Sequence, residues 1–307
     1  TEAQEEKKQL EEKQKALKEK QAEAENAKNT TQEQQDLDEA GEPVDETEED
    51  ADSEESLTEE QLAEEDAPDL EAIRASVEEK LQGTDEFGEA WQIYVYRLKD
   101  GARASLGQGR LTAASLIKLY IMGAVYSSYD NIAAANGQEQ VDKLLNAMIT
   151  VSDNDSANTL VGMLGNGDNA AGQEAVNTYC KNNGYTDTSM GRMLLEKASA
   201  NENYTSARDC SVFLKNIYEN KLEHSEDMLN LLKQQTRTEK IPKSIPSGVE
   251  TANKTGELDH VENDAAIVFD GENPYIICVM ADNLSDTTEA RQRIVDISSV
   301  VYENISK

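Results

Sequence analysis

The chain has 307 residues, which allows one large domain or two small ones, and it carries a net charge of -33. Nucleic-acid binding needs clustered Lys and Arg to neutralise phosphates, so the acidic balance argues against a nucleic-acid partner. No apolar run approaches the length of a membrane span, and the two histidines and three cysteines lack the spacing of a structural zinc site. We therefore expect neither a metal nor a cofactor.

Residues 1–69 predict an acidic spacer that ranges from helix-prone to disordered. Residues 1–70 contain 27 Asp or Glu against 7 Lys or Arg, and no aromatic residue precedes Phe87. Such a composition buries too little apolar surface to offset the conformational entropy that ordering removes. Because the chain starts with Thr1 rather than Met, we expect a processed start, and a membrane anchor on a missing N-terminal segment stays open.

From residue 70 the pattern changes to that of a folded domain, which we place at 70–307. LEAIRASVEEKL repeats apolar residues at helical spacing, and WQIYVYRLKDGARASLGQ alternates apolar and polar residues around a Lys-Asp-Gly turn, as a hairpin does. A helix-rich stretch then runs from residue 115 to about 240 with Asn-Gly breaks. AAIVFDGENPYIICVMAD predicts a second strand-turn-strand unit, and a final helix follows it.

These elements predict an α+β fold with strands at both ends of the domain and helices in the middle. The two hairpins would form an antiparallel sheet flanked by the terminal helices, and the central helices would form a separate all-helical lobe. A cleft between sheet and lobe is then the expected ligand site.

Three short motifs occur in order along the domain. They are Ser115-Leu116-Ile117-Lys118, Ser152-Asp153-Asn154 and Lys254-Thr255-Gly256. Each alone is weak, since Ser-x-x-Lys commonly starts a helix and Ser-Asp-Asn is a common capping turn. Together and in this order they form a known signature, and residues 70–307 thereby resemble the class A β-lactamase-like, penicillin-recognising serine hydrolases.

The resemblance implies that Ser115 is a nucleophile and Lys118 its activating amine. Residues three apart share a helix face, so the two side chains can meet. Apolar neighbours should desolvate Lys118, which lowers its pKa and makes the neutral, proton-accepting amine accessible. The Ser152 hydroxyl, on a turn between helices, could relay the proton to the leaving nitrogen, while Asp153 ties down that turn.

The remaining motif residues are expected to hold the substrate. Asn154 can bind a substrate amide, Lys254 supplies positive potential for a carboxylate and Thr255 can hydrogen-bond it. Gly256 leaves room beside a strand predicted to lie at the sheet edge. By family resemblance the oxyanion hole would use the backbone N–H groups of Ser115 and Glu257.

The loop after residue 184 departs from the family pattern. By alignment on an Asn-Gly turn and Arg192, the deacylating glutamate of the family falls at Leu194 and its partner asparagine at Ala198. Leucine cannot activate water. Glu196, two residues further on, could reach the site only if the loop is rebuilt, and we expect it instead to face solvent. Arg192 could pair with Glu202 and hold the loop together.

The sequence therefore predicts an exported serine hydrolase that β-lactams acylate on Ser115 and that deacylates slowly because Leu194 replaces the general base. Its partner would be a β-lactam or a peptidoglycan-derived acyl-amide, its place outside the cell or in the cell envelope, and its state a monomer.

Two alternatives and one pairing stay open on the sequence. The first alternative is a D-alanyl-D-alanine peptidase of the penicillin-binding type, which uses the same acylation chemistry. The second is a non-catalytic module that captures wall peptides as a sensor. Cys180 and Cys210 lie on predicted helices and could form a disulfide, whereas Cys278 is expected to be a core thiol.

Overall fold

The computed structural model describes residues 70–84, 88–197 and 201–306. The acidic spacer predicted for residues 1–69 and the position Ala198 lie outside the described residues. The domain boundary at residue 70 therefore stays a prediction.

An antiparallel sheet forms the centre of the described part. The strands are β1 (Ala90–Arg97), β2 (Arg103–Leu106), β3 (Leu111–Thr112), β4 (Tyr204–Thr205), β5 (Glu250–Leu258), β6 (Val261–Phe269) and β7 (Tyr275–Asp282). Five of them pair in the order β2-β1-β7-β6-β5, and β3 pairs with β4 separately. Both predicted hairpins are confirmed, and β5 lies at the sheet edge as expected.

Helices cover both faces of the sheet. They are α1 (Glu71–Lys80), α2 (Ile117–Tyr126), α3 (Tyr129–Asn136), α4 (Gln138–Thr150), α5 (Asn154–Leu164), α6 (Asn169–Asn182), α7 (Ala207–Tyr218), α8 (Ser225–Lys233) and α9 (Thr287–Ile305). The terminal helices α1 and α9 pack together on one face, and α7 joins the central lobe to the other. The predicted α+β architecture is confirmed.

The central strand β7 explains why the two layers stay together. Its successive side chains alternate between faces, as the period of a strand requires. Ile277 and Val279 belong to the core beneath the terminal helices, whereas Ile276 and Cys278 belong to the core of the helical lobe. Because both faces are covered, seven of the eight residues of the strand are buried.

The three cysteines are buried and free in the structure. The bridge between Cys180 and Cys210 that the sequence left open is therefore not formed, and Cys278 is a core thiol as expected. Among the described helices, none is both long and apolar enough to cross a bilayer. The same residues contain no group of three or more His, Cys, Asp or Glu side chains arranged to hold a metal ion.

A buried ion network ties the segment that precedes β5 to the sheet. The Lys240 ammonium lies 2.9 Å from a carboxylate oxygen of Glu262, and the two side chains are 2% and 0% exposed. The other Glu262 oxygen accepts a 2.7 Å hydrogen bond from Arg291 on α9. Lys240 also reaches Glu257 at 3.2 Å, so one cation joins the strands β5 and β6.

We expect Glu262→Gln to lower the free energy of unfolding by about 3–5 kcal/mol, because it removes the buried carboxylate that Lys240 and Arg291 share and leaves Lys240 with only the partly exposed Glu257. Urea unfolding measures the effect. The control is Glu272→Gln, at an exposed position of the turn between β6 and β7, for which we expect a change within about 0.5 kcal/mol. Equal effects of the two substitutions would contradict the structural role of the network.

Candidate active site

Ser115 lies in a short 3-10 turn, Ala114–Leu116, that leads directly into α2. Ala114 adopts φ 47°, a left-handed conformation that is uncommon for a residue with a side chain. Every residue of α2 is buried, Lys118 included, whereas Ser115 is partly exposed. The nucleophile predicted from the sequence therefore stands at the solvent end of a buried helix.

The turn that carries Ser115 is held against the sheet by Gly256 and Asn263, which are register partners on β5 and β6. A Cβ atom on Gly256 would lie 2.8 Å from the carbonyl oxygen of Ala113 and 3.1 Å from the backbone nitrogen of Ser115. The Asn263 amide donates to the carbonyls of Thr112 and Ala113 at 3.0 and 3.1 Å. The space that we expected Gly256 to leave for substrate is thus filled, at this point, by the turn itself.

The Lys118 side chain crosses from α2 to the Ser152-Asp153-Asn154 turn. Its Nζ donates to the carbonyl of Ser152 at 2.6 Å and to Asn154 Oδ1 at 2.7 Å, and lies 3.2 Å from Ser152 Oγ. The carbonyl and Oδ1 are pure acceptors, so they occupy two N–H groups of the amine. In the neutral form its lone pair is then left for a hydroxyl proton.

A second lysine approaches the same hydroxyl from the sheet. Lys254 Nζ donates to Ser152 Oγ at 2.9 Å and to the carbonyl of Thr255 at 2.7 Å. Its side chain is fully buried, so Lys254 lies behind Ser152 rather than at the surface of the cleft. Ser152 Oγ therefore stands between two amines, one from the lobe and one from β5.

Burial lowers the proton affinity of both amines. Desolvation lowers the pKa of Lys118 to about 7, with Arg237 contributing in the same direction and Asp153 opposing it. Desolvation and the nearby charges of Lys118 and Lys240 hold the pKa of Lys254 well below its ordinary value. The desolvation predicted for Lys118 is confirmed, and a neutral amine is accessible near neutral pH.

The Ser152-Asp153-Asn154 turn owes its shape to capping of α5. Asp153 is the N-cap, and its Oδ1 accepts a 2.7 Å hydrogen bond from the backbone nitrogen of Ser156. This confirms that Asp153 ties down the turn. Ser152 itself adopts φ 62°, so the turn aims its hydroxyl by an uncommon backbone conformation.

The far side of the site holds the groups expected to meet a carboxylate or an oxyanion. Thr255 is buried on β5, and Glu257 follows Gly256 beside the Ser115 turn. Arg237, which the sequence did not single out, lies 3.3 Å from Glu257 with half of its side chain exposed. Its guanidinium adds a solvent-facing cation to the two buried amines.

The backbone of Leu194 is held against α5. Its N–H donates to Asn158 Oδ1 and its carbonyl accepts from Asn158 Nδ2, both at 2.9 Å. Asn158 lies one helical turn after Asn154 on α5, so the same helix fixes the turn and the loop. The Leu194 side chain is 7% exposed and belongs to the lobe core, where it brings no group that could activate water.

The other loop residues behave as predicted. Glu196 is exposed, and its Oε2 accepts a 3.1 Å hydrogen bond from the backbone nitrogen of Met193. Arg192 pairs with Glu202 at 2.8 Å, and both side chains are only about one-tenth exposed. The Glu196 carboxylate thus helps to shape the loop.

Three residues of the site were missed by the sequence reasoning. They are Asn158, Arg237 and Asn263. A signal existed for Asn263, because the run VEND interrupts an otherwise apolar strand with polar residues, and polar groups buried in a strand need hydrogen-bond partners. Asn158 and Arg237 sit in ordinary polar surroundings and carry no comparable signal.

Solved structures share this fold. PBP-A has a TM-score of 0.67 and 21% identity over 77% of this chain and 97% of its own. A leucine-to-glutamate variant of PBP-A, in an acyl-enzyme complex with penicillin G, has a TM-score of 0.66 and 20% identity over 76% and 96%. A β-lactamase from Sphaerobacter thermophilus DSM 20745 has a TM-score of 0.64 and 22% identity over 75% and 96%. No curated protein matches the chain.

The sequence profile of the Beta-lactamase enzyme family matches residues 131–305, which is more than half of the chain. The matched range contains Ser152, Leu194 and Lys254 and begins after Ser115 and Lys118. Those two residues are joined to it by the hydrogen bonds of Lys118 and by the packing of the Ser115 turn on Gly256. The chain belongs to the Beta-lactamase enzyme family.

Proposed function

We propose that this protein is a serine hydrolase that a β-lactam or a related acyl-amide acylates on Ser115, and that the acyl-enzyme deacylates slowly. The observation that carries the proposal is the placement of Ser152 Oγ between Lys118 and Lys254, next to the turn that presents Ser115. Because β-lactams and wall peptides are met outside the cytoplasm, we place its action outside the cell or in the cell envelope.

In the proposed acylation, the neutral Lys118 amine takes the Ser115 hydroxyl proton as Oγ attacks the carbonyl carbon. The oxyanion that forms would be stabilised by the backbone N–H groups of Ser115 and Glu257. The close approach of Gly256 to the Ser115 nitrogen supports this pairing, since Glu257 is the next residue on β5.

The leaving nitrogen then needs a proton, and Ser152 is placed to supply it. Its hydroxyl proton would pass to the nitrogen and be replaced by the proton that Lys118 took from Ser115, since Lys118 Nζ lies 3.2 Å from Ser152 Oγ. Lys254, 2.9 Å from the same oxygen, would hold the hydroxyl in place. Asn154 would bind the substrate amide, Thr255 would hydrogen-bond a substrate carboxylate, and the Arg237 guanidinium, which stays charged, would attract that carboxylate. Lys254 would add positive potential only in its protonated form, which its lowered pKa disfavours.

Deacylation needs a water molecule and a base beside the ester. Leu194 occupies the loop position where the family's base is expected, and the reciprocal Asn158 bonds keep the loop against the site. The leucine-to-glutamate variant of PBP-A, observed as a penicillin G acyl-enzyme, supports the view that such a fold is acylated by penicillins. We therefore propose that the loop keeps its architecture but lacks the carboxylate of the general base.

The nucleophile is tested by intact-mass spectrometry with benzylpenicillin, sampled from seconds to hours. We expect one adduct on the protein, located on Ser115, that persists over the sampling time, and no adduct on Ser115→Ala. Ser127→Ala, at an exposed serine after α2, is the matched control and should label normally. An unchanged adduct on Ser115→Ala would overturn the mechanism. Absence of both adduct and hydrolysis would favour a peptidase or a binding module.

Acylation should depend on pH through the Lys118 amine. Its pKa is lowered to about 7, so the rate should fall about tenfold per pH unit below that value and level off above it. Because Lys118 and Lys254 share Ser152, the midpoint belongs to the pair. Adduct formation measured from pH 5 to 9 gives the profile. Lys118→Arg cannot become neutral and should lose the rise; a flat profile for the unmodified protein would argue against an amine base.

Leu194→Glu should shorten the lifetime of the acyl-enzyme by about 100-fold, because it restores a carboxylate at the position of the missing base. The decay of the benzylpenicillin adduct measures this lifetime. Leu195→Glu is the matched control, since it adds the same charge at the next residue, whose side chain is 69% exposed. The same acceleration in both variants, or in neither, would show that the residue at 194 does not limit deacylation.

A further inference from the structure

Three aromatic rings meet at the end of α2 that lies away from the catalytic lysine. Tyr126 stacks on Tyr129 at a centroid distance of 5.6 Å and on His224 at 5.0 Å, and Tyr129 lies 4.9 Å from His224. Eight residues separate Lys118 from Tyr126, which is about 12 Å along a helix. The cluster is therefore not part of the Ser115 site.

The His224 ring is placed there by an uncommon backbone conformation. His224 precedes α8 with φ 59° and ψ 28°, in the left-handed region, and forms no side-chain cap bond to that helix. Its ring instead contacts both tyrosines and hydrogen-bonds through Nδ1 to Asp227 at 2.9 Å. Such a conformation is unfavourable for a residue with a side chain and persists where the surroundings hold it.

Two carboxylates accompany the rings. Tyr129 donates its hydroxyl to Asp142 on α4, and His224 bonds to Asp227 on α8. In the part of the chain that the structure describes, neither carboxylate forms an ion pair with a lysine or an arginine. Burial, followed by the charges of Asp227 and Asp142, raises the pKa of Tyr126, so the negative potential of both groups reaches the ring.

The cluster opens on a cavity of about 380 Å³ between α2, α3, α4 and α8. The three rings and both carboxylates line it, together with the side-chain amides of Gln138, Asn146 and Asn230. No lysine or arginine belongs to this lining. The cavity is thus lined by aromatic side chains, two carboxylates and neutral amides, and it contains no residue of the proposed mechanism.

We propose that this cavity binds a small organic cation with a methylated ammonium head group. The negative faces of aromatic rings attract such a cation, and its weak hydration makes transfer onto the rings favourable. Asp142 and Asp227 add charge at the rim, and the amides accept from any hydroxyl that the ligand carries. A primary ammonium would satisfy the carboxylates and leave the ring faces less well used.

Choline and 3,3-dimethylbutan-1-ol, its neutral isostere of nearly equal shape, are the probes. Saturation-transfer NMR with the full chain should detect choline, and titration should give an affinity about tenfold higher than that of the isostere. Tyr129→Leu should weaken choline binding by about tenfold, and Asp142→Asn or Asp227→Asn by about two- to fivefold each. Benzylpenicillin labelling of Ser115 should be unchanged in all three variants, which separates this site from the proposed function.

Asp130→Asn is the matched control, since it removes the same charge from an exposed aspartate next to Tyr129 and outside the cavity. It should bind choline normally. Equal binding of choline and the isostere, tighter binding of ethanolamine than of choline, or an equal effect of Asp130→Asn and Asp142→Asn would overturn the proposal. If Tyr129→Leu does not fold, as judged by its circular dichroism, the two aspartate variants decide the question.

Discussion

Two buried lysines that share one serine hydroxyl set the constraint on which the site depends. Lys118 and Lys254 are both fully buried, and their partners at Ser152, Asn154 and Thr255 are neutral oxygens. Neutral acceptors satisfy the N–H groups but do not neutralise the positive charge. Loss of a proton therefore removes the desolvation cost of burying the charged amine. The lowered pKa of Lys118, about 7, therefore follows chiefly from packing.

This arrangement holds only while the helical lobe and the edge strand β5 keep their relative positions. Gly256 leaves no space between β5 and the Ser115 turn, Asn263 fixes the same turn from β6, and Lys254 spans from the strand to the lobe. The ion pair between Lys240 and Glu262 anchors the segment that precedes β5 to the neighbouring strand β6. The geometry of the Ser115 turn is thus determined at the sheet edge, although the turn itself leads into the lobe helix α2.

Local sequence patterns were sufficient to predict the helices, the strands and the first two motifs of the site. They could not predict the long-range register of the strands. The alternation in β1, the apolar run of β7 and the motifs at Ser115 and Ser152 each lie within a few residues of sequence. The roles of the motif residues came from the resemblance of the three motifs to a known family. Three features depend on which residues of β5 and β6 lie opposite the Ser115 turn, about 150 residues earlier in the chain. They are the burial of Lys254, the filled space beside Gly256 and the hydrogen bonds of Asn263. No local spacing encodes that pairing.

The whole chain is acidic, whereas the site contains basic side chains, and distance decides which of these a bound anion meets. The chain carries -33, yet Lys118 and Lys254, two amines with lowered pKa values, share the Ser152 hydroxyl, and the permanently charged Arg237 lies nearby beside Glu257. At physiological ionic strength, charges more than about 8 Å away in solvent are largely screened, whereas buried charges at contact distance are not. The proposed anionic acyl-amide would therefore approach an acidic protein against a short-ranged repulsion and would meet the Arg237 guanidinium once it is in the cleft. The excess negative charge of the chain and the proposed carboxylate recognition are compatible, because screening separates the two by distance.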